Sequence, residues 1–143
     1  MSEREYNVVI VGAGFAGMYL LHRVRKLGMH ARVLEAGSDV GGTWYWNRYP
    51  GARCDVESMQ YSYQFDDNLQ QEWSWSERYS PQPEILKYAQ HVSERYDLRC
   101  DIDFNTRVTS AAYDEDSARW TLTSEEGVKT VGHYFVMATG CLS

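Results

Sequence analysis

The stretch VVIVGAGFAG, Val8 to Gly17, decides the reading of the whole chain. Val8–Val11 continue a β-branched run from Tyr6, and an unbroken apolar run that ends in glycine reads as a buried parallel strand. Beyond it, Met18, Leu21, Val24 and Leu27 recur at helical spacing and Gly28 supplies a stop, so a helix is expected over Phe15–Leu27. Ala31–Ala36 (ARVLEA) is a second strand. Strand, helix and strand make a βαβ unit, and GAGFAG occupies its first turn.

Gly12-Ala13-Gly14-Phe15-Ala16-Gly17 matches GxGxxG in the context that gives this weak pattern meaning, after a strand and opening a helix. Gly12 permits the tight turn, Gly14 lets a diphosphate approach the backbone, and Gly17 lets the helix pack closely. The helix start offers free N–H groups and a partial positive charge to an anion. Glu35 lies 35 − 17 = 18 residues after the last glycine, at the end of the second strand. A carboxylate there accepts hydrogen bonds from a ribose diol and repels a ribose phosphate. The first site is therefore expected to hold FAD or NAD rather than NADP.

A plain NAD dehydrogenase would go on to another helix. This chain writes Gly41-Gly42-Thr43-Trp44-Tyr45-Trp46 within a stretch, Asp39–Ser58, that glycines and Pro50 keep irregular. Paired glycines allow backbone to approach a further part of an extended cofactor, and Trp and Tyr can wall a flat, apolar-edged ring. A Tyr- and Gln-rich segment follows, then a helix with Pro83 at its first position, Glu84 near its positive end, and an apolar stripe of Ile85, Ala89, Val92 and Tyr96. Strands are expected at Phe104–Tyr113, Trp120–Ser124 and Val128–Val131, as a small antiparallel meander turned at Glu126-Gly127. Tyr134–Ala138 is expected to return to the parallel sheet. The fold class is α/β: a Rossmann-like βαβ with a parallel sheet and a small antiparallel β-meander.

The 143 residues are 43% hydrophobic and 24% charged, which is globular composition for one domain. The net charge is −6 and no Lys/Arg run exceeds two residues, which excludes a nucleic-acid footprint and a polybasic membrane patch. The apolar run near the N-terminus is short and contains glycine, unlike a signal peptide or a membrane span. Cys54, Cys100 and Cys141 are an odd set without motif spacing, which fits reduced thiols in the cytoplasm. His22, His30, His91 and His133 are scattered, so no metal site is expected.

The string GGTWYWNRYPGARCDVES, with GAGFAG, Glu35, EWSWSERY, PQPEIL and the final ATG, resembles the Baeyer–Villiger monooxygenases over nearly the whole chain. These flavoenzymes turn ketones into esters or lactones with NADPH, O₂ and a flavin peroxide. The resemblance implies that Gly12, Gly14, Phe15, Ala16 and Gly17 hold the FAD diphosphate and Glu35 the adenosine ribose. It implies that Gly42, Thr43, Trp44, Tyr45 and Trp46 line the FAD, that Tyr61 contacts it, and that Val108 meets the adenine through its backbone. Arg53, Cys54 and Asp55 match a loop that approaches both the flavin and the nicotinamide of NADPH. Asp55 matches an active-site Asp that interacts with a catalytic Arg; read from the residues alone, a turn-capping Asp is the alternative.

The departures concern length. The family has a second GxGxxG for NADPH, and this chain has one. A fingerprint FxGxxxHxxxW is absent, since the match begun at Phe15-Ala16-Gly17 meets Leu21 where His is required. The catalytic Arg has no counterpart. Residues 1–143 are thus expected to be the N-terminal portion of an FAD-binding domain, needing the remainder of a larger enzyme to complete the fold. A non-catalytic FAD-binding fragment and a related flavin-containing monooxygenase remain alternatives.

Overall fold

A computed structural model describes residues 4–142. Its elements in order are β1 (Arg4–Val11), α1 (Phe15–Lys26), β2 (Ala31–Leu34), α2 (Thr43–Trp46), α3 (Asp67–Glu72), α4 (Gln82–Arg95), a single 3₁₀ turn at Arg99–Asp101, β3 (Ile102–Asp103), β4 (Val108–Asp114), β5 (Arg119–Ser124) and β6 (Lys129–Met137). The strands form one sheet in the order β3-β2-β1-β6-β5-β4. β1 runs parallel to β2 and β6, while β4, β5 and β6 pair antiparallel. The α/β class and the parallel-plus-meander plan expected from the sequence are both present.

Val8, Val9 and Ile10 are all buried because β1 is covered on both faces. Val8 and Ile10 pack with Met18, Leu21 and Val24 of α1 and with Tyr88, Ala89 and Val92 of α4. Val9 points the other way, onto Leu34 and Leu122. Successive side chains of a strand alternate faces, so helices cover one side of the parallel strands and the meander covers the other.

α1 ends as its sequence dictates. Gly28 takes φ +75°, its N–H donates to the Arg25 carbonyl at 2.9 Å, and the Met29 N–H donates to the Val24 carbonyl at 3.2 Å. That paired closure is the Schellman arrangement, which needs the left-handed residue that glycine supplies cheaply. Gln82 is the first residue of α4, so Pro83 sits at the second position, where its missing N–H is equally dispensable.

Some expected boundaries shift. Val128–Val131 and Tyr134–Ala138 are one strand, β6. Gly132, between them, is buried rather than turned, and a Cβ there would lie 2.8 Å from Val9 Cγ2, so its missing side chain lets β6 press on β1. The expected strand Phe104–Tyr113 is instead β4, with β3 as a separate two-residue strand parallel to β2. The irregular aromatic stretch contains the one-turn helix α2, and the Tyr- and Gln-rich segment contains α3, whose Asp66 caps it by accepting the Asn68 N–H at 2.9 Å.

A charged ladder ties the base of the unit together. Arg25 donates to Asp101, and Arg32 and Arg4 flank Asp103. Burial alone would raise the Asp103 pKa, but the hydrogen bond and charge of Arg32 and the charge of Arg4 outweigh it and hold the carboxyl below its usual range.

Candidate functional site

The site begins at the turn between β1 and α1. Gly12 has φ +108°, and a Cβ on it would meet the Ala138 carbonyl oxygen at 2.3 Å. A Cβ on Gly17 would lie 1.8 Å from the Gly12 carbonyl oxygen. The tight packing expected of Gly17 is therefore chiefly against its own turn, with Ala138 Cβ of the sheet at 3.7 Å. Gly14 caps α1 without any side-chain hydrogen bond. The first N–H groups of a helix have no acceptor within it, so those of Phe15, Ala16 and Gly17 present a positive end that no side chain competes for.

Glu35 lies just past β2 and is 5% exposed. Its Oε1 accepts the Ala13 N–H at 2.8 Å and its Oε2 accepts the Gly37 N–H at 2.7 Å. A carboxylate has about four acceptor positions, so these bonds leave room for ribose hydroxyls. The Glu35 carbonyl also accepts the Thr106 N–H at 2.8 Å. That bond sets the segment leading to Val108 beside the Glu35 carboxylate. Val108 is half-buried and packs with the Val9–Leu34–Leu122 cluster.

The aromatic turn is fastened to the glycine turn by backbone. The Gly41 N–H donates to the Ala13 carbonyl at 3.0 Å. Gly42 has φ +55°, and a Cβ on it would stand 2.9 Å from Gly14 Cα. Thr43–Trp46 then form α2, which turns the three aromatics in different directions. Trp44 is buried beside Cys54 and Ile85, and its indole N–H donates to the Tyr61 hydroxyl at 2.9 Å. Tyr45 bonds Ser38 through its hydroxyl and packs edge-on against Trp46 at 4.8 Å. Trp46 is 44% exposed. Tyr61 packs at a tilt against Phe15, ring centroids 5.4 Å apart, so α1 and the aromatic turn share one wall.

Arg53, Cys54 and Asp55 diverge. Arg53 is exposed, pairs with Glu77 at 2.6 Å, and bridges to Pro81 as an isolated antiparallel pair. Cys54 is buried, its N–H donating to the Ser80 carbonyl at 3.0 Å. Asp55 is exposed, with no ion pair or hydrogen bond among the described residues.

Sequence reasoning missed Gln82. Its side chain donates to the Trp44 carbonyl, and its backbone N–H donates to the Ala52 carbonyl at 2.9 Å. One buried residue thereby fixes both the aromatic turn and the Arg53 arm. The only signal was a polar residue opening an apolar-striped helix. Thr106 and Gly37 were also missed, because both act through backbone N–H groups, which carry no residue signature.

The residues fit an FAD: an uncapped helix start, a carboxylate with acceptor positions to spare, and backbone that approaches without side chains. Among the described residues no group of His, Cys, Asp and Glu could hold a metal, and no helix is long and apolar enough to cross a membrane.

Residues 10–74 match the family described as NAD(P)-binding Rossmann-like domain. The chain is 45% identical over its full length to an acetone monooxygenase (methyl acetate-forming) from Gordonia sp. (strain TY-5), of which it covers 27%. It is 42% identical over 97% of its length to a Baeyer–Villiger monooxygenase from Pseudooceanicola batsensis, of which it covers 26%. Among solved structures, an oxidized steroid monooxygenase bound to NADP superposes with a TM-score of 0.95 at 57% identity, over 97% of this chain and 27% of that one. The chain thus spans about a quarter of the length of the relatives it matches.

Proposed function

Over its whole length the chain is homologous to the N-terminal part of Baeyer–Villiger monooxygenases, and from that premise we propose that it is the N-terminal portion of the FAD-binding domain of an FAD- and NADPH-dependent ketone monooxygenase. The observation that carries the reading is the Glu35 carboxylate clamped onto the Ala13 N–H, beside an uncapped helix start and the Gly14–Gly42 approach. Bound FAD would supply the redox chemistry, drawing on NADPH and O₂ to make an ester or lactone.

In this reading the chain's own residues bind, orient and exclude water. The N–H groups at Gly14–Gly17 hold the diphosphate, and the spare acceptor positions of Glu35 hold the adenosine ribose. Backbone at Val108 meets the adenine. Gly42, Thr43, Trp44, Tyr45, Trp46 and Tyr61 line the flavin half. The Trp44 indole, its N–H already satisfied by Tyr61, shields that half from water. Arg53 and Cys54 approach the flavin and nicotinamide. Asp55 keeps its charge free for an arginine supplied by the rest of the enzyme and fixes that cation where negative charge develops. The ketone and O₂ are the reaction partners, with no nucleic acid. Three unpaired cysteines favour the cytoplasm.

The test is the purified full-length parent. It is expected to carry one FAD by absorbance, to oxidise NADPH faster when a ketone is present, and to yield an ester. A flavin-free protein, or NADPH oxidation that no ketone stimulates and that makes no ester, rejects the reading. A second reading concerns the 143 residues alone: with one GxGxxG where two dinucleotides are needed, they form a non-catalytic FAD-binding module. Flavin absorbance without ester formation in the isolated chain is its signature.

A further inference from the structure

Aromatic rings stand in unbroken contact from the aromatic turn, past Tyr88 of α4, to Trp73 and Trp75 in the segment before that helix. Trp44 meets Tyr61 with centroids 5.8 Å apart, and Tyr61 meets Phe15 at 5.4 Å. Phe15 meets Tyr88 at 6.0 Å, and Tyr88 meets Trp75 at 5.0 Å and Trp73 at 5.4 Å. The row starts at buried Trp44, one glycine-lined turn from the phosphate loop, and ends at Trp73 and Trp75, both half-buried at the surface.

Packing alone does not call for an indole at Trp73. Aliphatic residues and Phe fill a core without polar atoms, whereas Tyr and Trp need partners for their O–H and N–H groups. Among the described residues Trp73 Nε1 is buried with no hydrogen-bond partner, a cost that a Phe or Leu would not carry. What Trp and Tyr offer and Leu does not is a low-lying oxidation: indole and phenol rings give up an electron more readily than any aliphatic side chain.

We propose that the row from Trp44 to Trp73 is a one-electron relay between the cofactor face and the protein surface, carrying an oxidising equivalent outward. The proposal rests on the FAD reading above. The rings are close enough for an electron to pass from one to the next with no movement of backbone. Phe15 bridges Tyr61 to Tyr88, and the hole comes to rest on the terminal indoles. The balance is one electron: the indole of Trp75 or Trp73 becomes a radical cation and an oxidising flavin gains the electron. No bond breaks. The Trp73 N–H, having no acceptor, keeps its proton.

The experiment uses the FAD-loaded full-length parent, with photoexcited oxidised flavin as the oxidant and transient absorption as the readout. The wild type is expected to show a long-lived tryptophan radical. Trp75→Phe with Trp73→Phe keeps the rings as packing but removes the terminal donors, so the long-lived radical is lost while FAD content and far-ultraviolet dichroism stay unchanged. If the double variant does not fold, each single variant is expected to lower the radical yield. An unchanged long-lived radical in the variants, or none in FAD-loaded wild type, overturns the relay. A parent that binds no FAD overturns the cofactor reading, and the relay with it.

Discussion

Glu35 Oε1 accepts the backbone N–H of Ala13 at 2.8 Å, so the carboxylate proposed to hold the ribose is also a strut of the glycine turn. Glu35→Ala leaves the Ala13 and Gly37 N–H groups bare, at a cost of about 1–3 kcal/mol each. Urea unfolding without flavin is expected to show that loss. FAD titration of the full-length parent is expected to show a further weakening of roughly 1.5–3 kcal/mol from the lost charged acceptor. A variant as stable as wild type would show that the strut is replaced by water. Unchanged FAD affinity would remove Glu35 from the ribose.

Gly17→Ala puts a Cβ where the Gly12 carbonyl oxygen already stands, 1.8 Å away. Backbone must move, and overpacking of this kind costs about 1–3 kcal/mol. Gly28→Ala meets nothing within 4 Å and carries only the strain of its φ of +75°, about 1–2 kcal/mol. Both variants are expected to lower the melting temperature, but only Gly17→Ala should also abolish FAD retention in the parent, since it alone distorts the phosphate turn. Equal FAD retention in the two would contradict this.

The Asp103 carboxyl, held low by Arg32 and Arg4, makes stability depend on acid. Its folded pKa lies below its unfolded value, so the unfolded state binds more protons and the contribution fades as pH falls. It is fully present above an unfolded pKa of about 3.9 and lost as pH drops through the folded value. Asp103→Asn is expected to lower neutral-pH stability by about 1.5–3 kcal/mol. The gap should close in strong acid, as denaturant titrations at a series of pH values would reveal. A gap independent of pH would assign the loss to packing.

Asp55 is exposed and makes no ion pair or hydrogen bond among the described residues. Asp55→Ala should therefore leave stability within about 0.5 kcal/mol of wild type. In the full-length parent it should keep FAD while slowing NADPH-dependent flavin reduction, oxygenation or both. Stopped-flow absorbance measures each step, and wild-type ester formation would return Asp55 to a turn residue.

β5 pairs with β6 only over Lys129–Gly132, while β1 pairs with β6 as far as Met137. One edge of Tyr134–Met137 is left unpaired by this sheet, and Tyr134 and Met137 are 62% and 71% exposed. Open edges with apolar side chains invite further strands. The isolated chain is expected to self-associate in light scattering, and Tyr134→Lys with Met137→Lys should suppress this without lowering the melting temperature. A monomeric wild type would show that the edge is already protected.

The βαβ unit was legible because its signals are local: a β-branched run, helical spacing, and glycines whose φ angles no other residue adopts as easily. The placement of Glu35 against the glycine turn was legible from its distance from Gly17. β6 was misread as two strands because Gly132-His133 looks like a break, while the reason for a glycine there is Val9, far away in the chain. α3 was hidden in a polar segment that contributes one buried residue, Leu69. Thr106 works through its backbone N–H, so nothing in its identity announced it, and Gln82 offered only a polar side chain at the start of an apolar-striped helix.

Gly42 against Gly14 is a contact of main chain with main chain. The closest approach of the two turns is thus set by atoms that every residue shares. Such a scaffold is evolvable in one direction only. Substitution of the exposed Trp46 can change what surrounds this turn without shifting the Gly14–Gly42 contact. A side chain at position 42 would move both turns at once, whatever else the loop contained.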